Sequence, residues 1–461
     1  MGYFTIELPE LKRDVIINML RGKNFPFFLD SGGYFEKIGR YSYWGFDPLL
    51  TFYFKDDTVY FLESDKSKSA IKIHPFDFLE NIFKQYRKDS TGKKFPFEGG
   101  FAGYLGYELG RYIEDIPTTR EDDYNLPDYY FALYDVVFIH DIVKNKFFVA
   151  GYELNDKSYR KAKKYAEFVI KNSFASNPTD CITIGNKLES NFKKEEYISA
   201  IEKAKNYILA GDIYQVNISQ RFKTDFKGDT LDFYSHFSKL SPAPFGAYFD
   251  YADFQIISNS PERYLFIDGK HIETRPIKGT RPRGESREED IQYINELKMS
   301  EKDKAEHLMI VDLERNDLGR VAEFNSVKVS EFEIIESYAN VHHMVSTVEA
   351  VVDNKFSVVD CIKNSYPGGS ITGAPKIRSM EIIDELEPTY RSVYTGSIGY
   401  IGFDETVDLN IAIRTAIIKD GKISFQVGGG IVADSVPEEE FDETLTKAES
   451  FVKTLETITQ K

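Results

Sequence analysis

Residues 211–222 read GDIYQVNISQRF, and the period of the pattern changes inside this stretch. Upstream of it, Tyr197, Ile201, Ala204 and Ile208 recur at spacings of four, three and four, one face of a helix. Gly211 stands where a left-handed C-cap belongs. After the glycine the period falls to two. Tyr214, Val216, Ile218 and Phe222 point one way; Gln215, Asn217, Ser219 and Arg221 point the other. The second face is polar throughout. It reads first as a wet surface, with the wall of a polar cavity as the alternative.

Outward from this helix–strand pair, residues 1–150 carry short aromatic and β-branched runs between turn residues: LLTFYF, DTVYFLE, FALYDVVFIHD and KFFVAGYEL. They read as mostly β structure. A helical run, SYRKAKKYAEFVIKN, occupies 158–172. The polar stretch 173–192 reads as a linker, so the expected domains are 1–172 and 193–456. In the second, AEHLMIVDLERNDLGRV and SITGAPKIRSMEIIDELEP read as helices. YANVHHMVSTVEAVV, VYTGSIGYIG and DLNIAIRTAII read as strands, and a glycine turn precedes a long final helix. Elements mix without regular alternation, which predicts an α+β fold with large antiparallel sheets.

The chain has 461 residues, of which 42% are hydrophobic, enough for a large core. A net charge of −16 argues against phosphate-backbone binding as the main activity. Two cysteines, Cys181 and Cys361, exclude a disulfide framework. The first residues carry charges too early for a signal peptide, and no apolar run is long enough to span a bilayer. A soluble cytoplasmic protein is expected.

Several clusters could carry chemistry. RPIKGTRPRGES, residues 275–286, crowds Arg275, Lys278, Arg281 and Arg283 among prolines and glycines. A solvated basic loop is the ordinary reading; a shaped loop presenting Lys278 is the functional one. On the last helix, Ser435 and Glu438 form a capping box with Pro437 in the first turn. Glu440, Glu443 and Lys447 fall within about 60° of one another there. A surface Glu–Lys pair is the commoner case, but Gly428, Gly429 and Gly430 precede the helix and could form a concave anion site. Glu306, with Glu440 and Glu443, could hold a hard cation such as Mg²⁺. Pro375 and Lys376 open a helix whose amino terminus could meet an anion. Of His342 and His343, on an apolar strand, one is expected to face inward. Arg414, read as a strand residue between apolar alternates, needs an anionic partner, which points to a ligand.

Taken in order over residues 193–455, GDIYQVNISQRF, SPERY, PIKGTRPRG, AEHLMIVDLERNDLGR, SITGAPKIRSMEII, DLNIAIRTA and GGGIVADSVPEEEFDETLTKA resemble the chorismate-utilising enzymes. FFLDSG and GRYSYWGFDP resemble, more weakly, the amino-terminal domain of anthranilate and aminodeoxychorismate synthase large subunits. The resemblance implies a sandwich of antiparallel sheets with helices outside. Members that add water to chorismate use a lysine where this chain has Gln215, so the ammonia-using branch is implied. Within it, Lys278 in P-I-K-G-T resembles the aminodeoxychorismate synthases; anthranilate synthases typically read P-I-A-G-T, and anthranilate synthase component I is the alternative.

By that resemblance, Lys278 is the covalent nucleophile, its pKa lowered by Arg275, Arg281 and the metal if these come close. Glu262 is the general acid, expected protonated in a dry site, and His343 lies near the leaving group. Glu306 and Glu443 are Mg²⁺ ligands, with Glu440 acting through water. Thr372, Gly373, Tyr394, Arg414, Gly428, Gly429, Gly430 and Lys447 contact substrate. A separate glutamine amidotransferase is implied, because neither cysteine lies in a G-x-C-x-G motif. Ser31, Arg40, Pro244, Phe245 and Gly246 resemble a tryptophan site, although Asp30 stands where the family's glutamate would be.

Overall fold

The computed structural model describes residues 2–33, 35, 37–63, 68–154, 157–171, 182–185 and 187–459. Cys181 and half of the expected linker, residues 173–181 and 186, lie outside this set.

The fold is α+β, with two large sheets whose strand pairings are all antiparallel. One sheet runs in the order Tyr3–Leu8, Lys146–Tyr152, Val136–Asp141, Tyr41–Gly45, Phe27–Asp30, Phe245–Asp250, Phe254–Ser260, Thr415–Lys419, Lys422–Ile431 and Gln215–Lys227. The other begins with Ile277–Pro282, Val341–Val351, His271–Arg275, Arg263–Asp268, Val407–Asn410 and Ser397–Gly402, and continues into Gly100–Leu105, Tyr129–Tyr134 and Leu50–Lys55. Strands from 1–172 and from 193–456 therefore share both sheets, meeting where Asp30 pairs with Gly246 and Gly100 with Gly402.

Burial follows from this layering. Phe27, Tyr104, Tyr130, Ala247, Phe249, Ile398 and Tyr400 fill the space between the sheets. Helices Arg13–Leu20, Ser158–Lys171, Thr230–Leu240 and Pro437–Thr459 cover the first sheet's outer face through residues such as Ile16, Ala162, Phe237 and Phe451. Pro75–Tyr86 and Val358–Ser365 pack on the second through Phe76, Leu79, Val359 and Ile362. Gly211 closes helix Lys194–Ala210 with φ 84°, the left-handed cap expected from the sequence.

Four local readings change. Two segments read as single strands are each split between the sheets. FALYDVVFIHD breaks at Asp135, which is buried and paired with Lys161 at 2.8 Å. DLNIAIRTAII breaks between Asn410 and Thr415, so Arg414 lies outside a strand, at φ 50°. Tyr214 precedes the strand Gln215–Lys227 and is 71% exposed. The opposite face of that strand is not wet. Gln215, Ser219 and Arg221 are buried because the chain 369–391 crosses over them. Arg391 is fully buried there and donates to the Asn217 and Ile371 carbonyls at 2.7 and 3.0 Å. Glu387 accepts from the Ser219 hydroxyl at 2.7 Å and from the Arg391 guanidinium.

Candidate active site

Lys278 is not in a solvated loop. Strand Ile277–Pro282 pairs with Val341–Val351, Ile277 facing Val345 and Thr280 facing His343. The first strand thus has one residue more than its partner, a bulge, with Gly279 at φ 81°. The bulge turns Lys278 inward; its side chain is 17% exposed and its Nζ lies 3.2 Å from Glu306 Oε2. The expected neighbouring cations are occupied elsewhere. Arg275 pairs with Glu336 at 2.6 Å and Arg281 with Asp303 at 2.9 Å. The charge that meets Lys278 is a carboxylate.

The glycine run is not a turn. Gly428, Gly429 and Gly430 lie within strand Lys422–Ile431, opposite Ser219, Ile218 and Asn217, so they form no concave anion site. What requires glycine is space. A Cβ on Gly430 would lie 2.2 Å from Gln215 Nε2 and 2.8 Å from Lys278 Nζ. One on Gly429 would lie 3.1 Å from Glu440 Oε2 and 4.0 Å from Glu443 Oε1. Gln215, Lys278, Glu440 and Glu443 thus converge over bare backbone. The Ser435 hydroxyl donates to Glu440 at 2.6 Å. Lys447 pairs with Glu443 at 2.6 Å and donates to the Gly428 carbonyl.

Glu262 is buried, and burial pushes its carboxyl up to about 7 against the Ser370 hydroxyl, the Ile277 N–H and the Lys278 charge. Both histidines face inward, since both faces of their strand are covered. His342 bonds Asp290 at 2.9 Å; His343 Nδ1 meets the Thr280 hydroxyl at 2.9 Å. Burial and the Arg414 charge push His343 down to about 3, so it is a neutral imidazole. Arg414 makes no ion pair among the described residues. Tyr394 is buried beside Arg391, 5.8 Å from its guanidinium. The Thr372 hydroxyl is used within its own turn, donating to the Gly368 and Gly369 carbonyls. Gly373 is pressed against the Gln215 carbonyl. Pro375 precedes the helix Lys376–Leu386 as its cap, and Lys376 is bound to buried Asp317 at 2.5 Å.

Buried atoms without partners mark the region as built for polar occupants: Gln215 Oε1, Asn217 Oδ1, His307 Nδ1 and His343 Nε2. Sequence reading missed His307, Ser370 and Glu314. His307 feels the Lys278 charge, and Glu314 stands eight residues after Glu306 on the same helix. That spacing places them about 80° apart, on neighbouring faces.

The oxygens of Glu306, Glu440 and Glu443 suit a hard cation. Gly429 leaves open the cradle that a Cβ would fill between two of them. Among the described residues they do not form a closed cage: the group with ligand atoms all within 4.8 Å is His271, Glu273 and Glu349. An ion completed by water and substrate oxygens fits such an open set.

Apart from these residues, a cavity of about 300 Å³ lies between the sheets; its lining includes Ser31, Arg40, Pro244, Phe245 and Gly246, the five residues expected to act together. Asp30 at its edge is held by Arg13 and by the Tyr234 hydroxyl.

Residues 27–453 match the chorismate binding enzyme family, and the chain belongs to it. It is a chorismate-utilising enzyme. Aminodeoxychorismate synthase component 1 of Bacillus subtilis is 38% identical over 94% of this chain and 97% of its own. Anthranilate synthase component 1 of Aquifex aeolicus is 37% identical over 97% and 92%. The crystal structure of anthranilate synthase component I from Streptococcus pneumoniae superposes with a TM-score of 0.80 at 31% identity, covering 95% and 97%. Among the described residues no helix is long and apolar enough to cross a membrane.

Proposed function

We propose that the chain converts chorismate and ammonia to 4-amino-4-deoxychorismate, an aminodeoxychorismate synthase component I of 4-aminobenzoate synthesis. One observation supports this most: the bulge that aims Lys278 Nζ at the space over Gly430, facing Gln215, with Glu262 close behind. Once its ammonium has given a proton to solvent, Lys278 Nζ bonds ring C2 as a free amine. The double bonds shift, the C4–O bond breaks, and the oxygen leaves as water with the Glu262 proton. Ammonia then bonds C4, the double bonds shift back, and the C2–N bond breaks to restore lysine. The surplus proton on the new amine returns to Glu262. One ammonia enters and one water leaves, and two displacements give retention at C4.

Glu306, Glu440 and Glu443 would hold Mg²⁺, which supplies charge compensation for the ring carboxylate. Arg414 and Lys447 offer cations to the carboxylates. Neutral His343 can hydrogen-bond near the departing oxygen but carries no charge to it. Relatives called component 1 support a separate glutamine amidotransferase as ammonia source. Similarity to anthranilate synthases favours a second reading, amination at C2 with release of pyruvate.

The covalent route predicts an adduct when ammonia is withheld. Mass spectrometry of the chain incubated with chorismate and Mg²⁺ is expected to find chorismate less one water on the peptide carrying Lys278, discharged by ammonium. An unmodified peptide throughout a single turnover would refute the route.

We also propose that the 300 Å³ cavity takes tryptophan, since all five expected residues line it. Calorimetric titration is expected to show saturable binding to the wild type, weakened in Arg40→Ala; no heat at millimolar tryptophan would rule this out.

A further inference from the structure

A second buried acid stands behind Glu262, and the chemistry above leaves it unused. Glu314 lies on helix Glu301–Gly319, the helix that also presents Glu306. It is 4% exposed, and its Oε1 accepts the Gly369 N–H at 3.1 Å. A Cβ on Gly369 would lie 3.0 Å from that oxygen and 2.6 Å from Leu313, so the turn and the helix touch with no room between. Ser370, the next residue, gives its hydroxyl to Glu262. The same turn is held from its far end by Arg391, on the Ile371 carbonyl at 3.0 Å, and by the Asn217 N–H, on the Thr372 carbonyl at 2.8 Å.

We propose that Glu314 is a positioning residue for proton transfer at Glu262: as a neutral acid it anchors the Gly369–Thr372 turn and leaves Glu262 free to become a carboxylate. This rests on the reading of Glu262 as proton donor. When Glu262 gives up its proton, negative charge develops in a buried site. A second carboxylate beside it would oppose that charge.

The surroundings keep Glu314 protonated. Burial raises its carboxyl to about 8, with Asp317 and Glu262 pushing in the same direction, and Lys376 and the Gly369 N–H opposing. Lys376, from helix Lys376–Leu386, is committed to Asp317 at 2.5 Å and to the Ser365 carbonyl at 2.8 Å, and Arg320 also faces Asp317. Tyr264, from strand Arg263–Asp268, is a further titratable neighbour; it donates to the Ile362 carbonyl and meets the Ser365 hydroxyl. Around Glu262 the facing groups are Lys278, Ser370, the Ile277 N–H and Glu314 itself. No arginine or unpaired lysine among these groups is directed at Glu314.

Glu314→Gln keeps an oxygen for the Gly369 N–H and cannot ionise. The measurement is the ratio of its kcat/KM for chorismate consumption to that of the wild type, from pH 6 to 9.5, so that the ionisation of ammonia cancels. The ratio is expected to stay near one below about pH 7. Above about pH 8, as Glu314 ionises in the wild type alone, it is expected to rise about tenfold per pH unit. Glu314→Leu, which loses the acceptor, is expected to be slow at every pH, with Gln restoring the rate. A flat ratio, or a Gln variant as slow as Leu with unchanged thermal unfolding, overturns the proposal. A wild type that consumes no chorismate defeats the reading of Glu262 instead. Infrared spectroscopy then still decides the state of Glu314. A carboxylic-acid C=O band is expected at pH 7, missing in Glu314→Gln; its absence from the wild type overturns the proposal.

Discussion

Lys278→Ala is expected to lose aminodeoxychorismate formation by on the order of 10⁴-fold or more, as when a covalent nucleophile is removed. The fold has little reason to change. Lys278 sits in a bulge, where its backbone leaves the ladder and its side chain packs into no apolar core. Its removal leaves Glu306 without its ion-pair partner, but that carboxylate keeps 16% of its surface exposed and the oxygens for a metal. Chorismate binding, proposed to draw on Arg414, Lys447 and the acidic set, is expected to persist. Purified variant assayed with chorismate, Mg²⁺ and ammonium provides the check. Activity equal to wild type would mean that ammonia attacks without a protein adduct.

Glu262→Gln is expected to lower the rate by roughly 10²- to 10⁴-fold, the usual contribution of a positioned proton donor. Its pH dependence gives a sharper test than its size. The proton must be on Glu262 to be given away, so activity depending on it is present below the carboxyl's pKa and lost above it. Burial places that point at about 7. With free ammonia held constant, the ratio of wild-type to Gln-variant kcat/KM is expected to fall as pH rises through about 7, since the ionisation of Lys278 enters both proteins and cancels. A ratio independent of pH would remove Glu262 from the role.

Much of the frame was legible from periodicity and caps. The helix Lys194–Ala210 ends at Gly211, and Val341–Val351 is a strand, because those patterns are local. What sequence could not show was which surfaces a distant segment covers. The polar face of Gln215–Lys227 looked wet because nothing nearby in sequence buries it; residues 369–391, far along the chain, do so. The histidine pair was misjudged for the same reason. Alternation tells which faces differ, not whether both are covered. Gly428–Gly430 looked like a turn because glycine frees the backbone. Here it serves by absence, leaving the volume that Gln215, Lys278 and Glu440 occupy.

The site itself was legible as a set of residue types more than as a geometry. Glu262, Lys278, Glu306, Glu440 and Glu443 were named from ordered motifs, and the fold brings them to one region. Their partners were not foreseen. Arg275 and Arg281 each stand three residues from Lys278 in sequence, yet each turns away to its own acid. Glu314 carried one signal, its place two helical turns beyond Glu306. That signal acquires meaning only once the Gly369 turn is seen to rest on it.

The most direct test of the proposed reaction is the identity of the product. The purified chain would be incubated with chorismate, Mg²⁺ and ammonium at mildly alkaline pH, with and without an aminodeoxychorismate lyase, and the products separated by chromatography. The account predicts 4-aminobenzoate only when the lyase is present. Anthranilate formed without the lyase would contradict it.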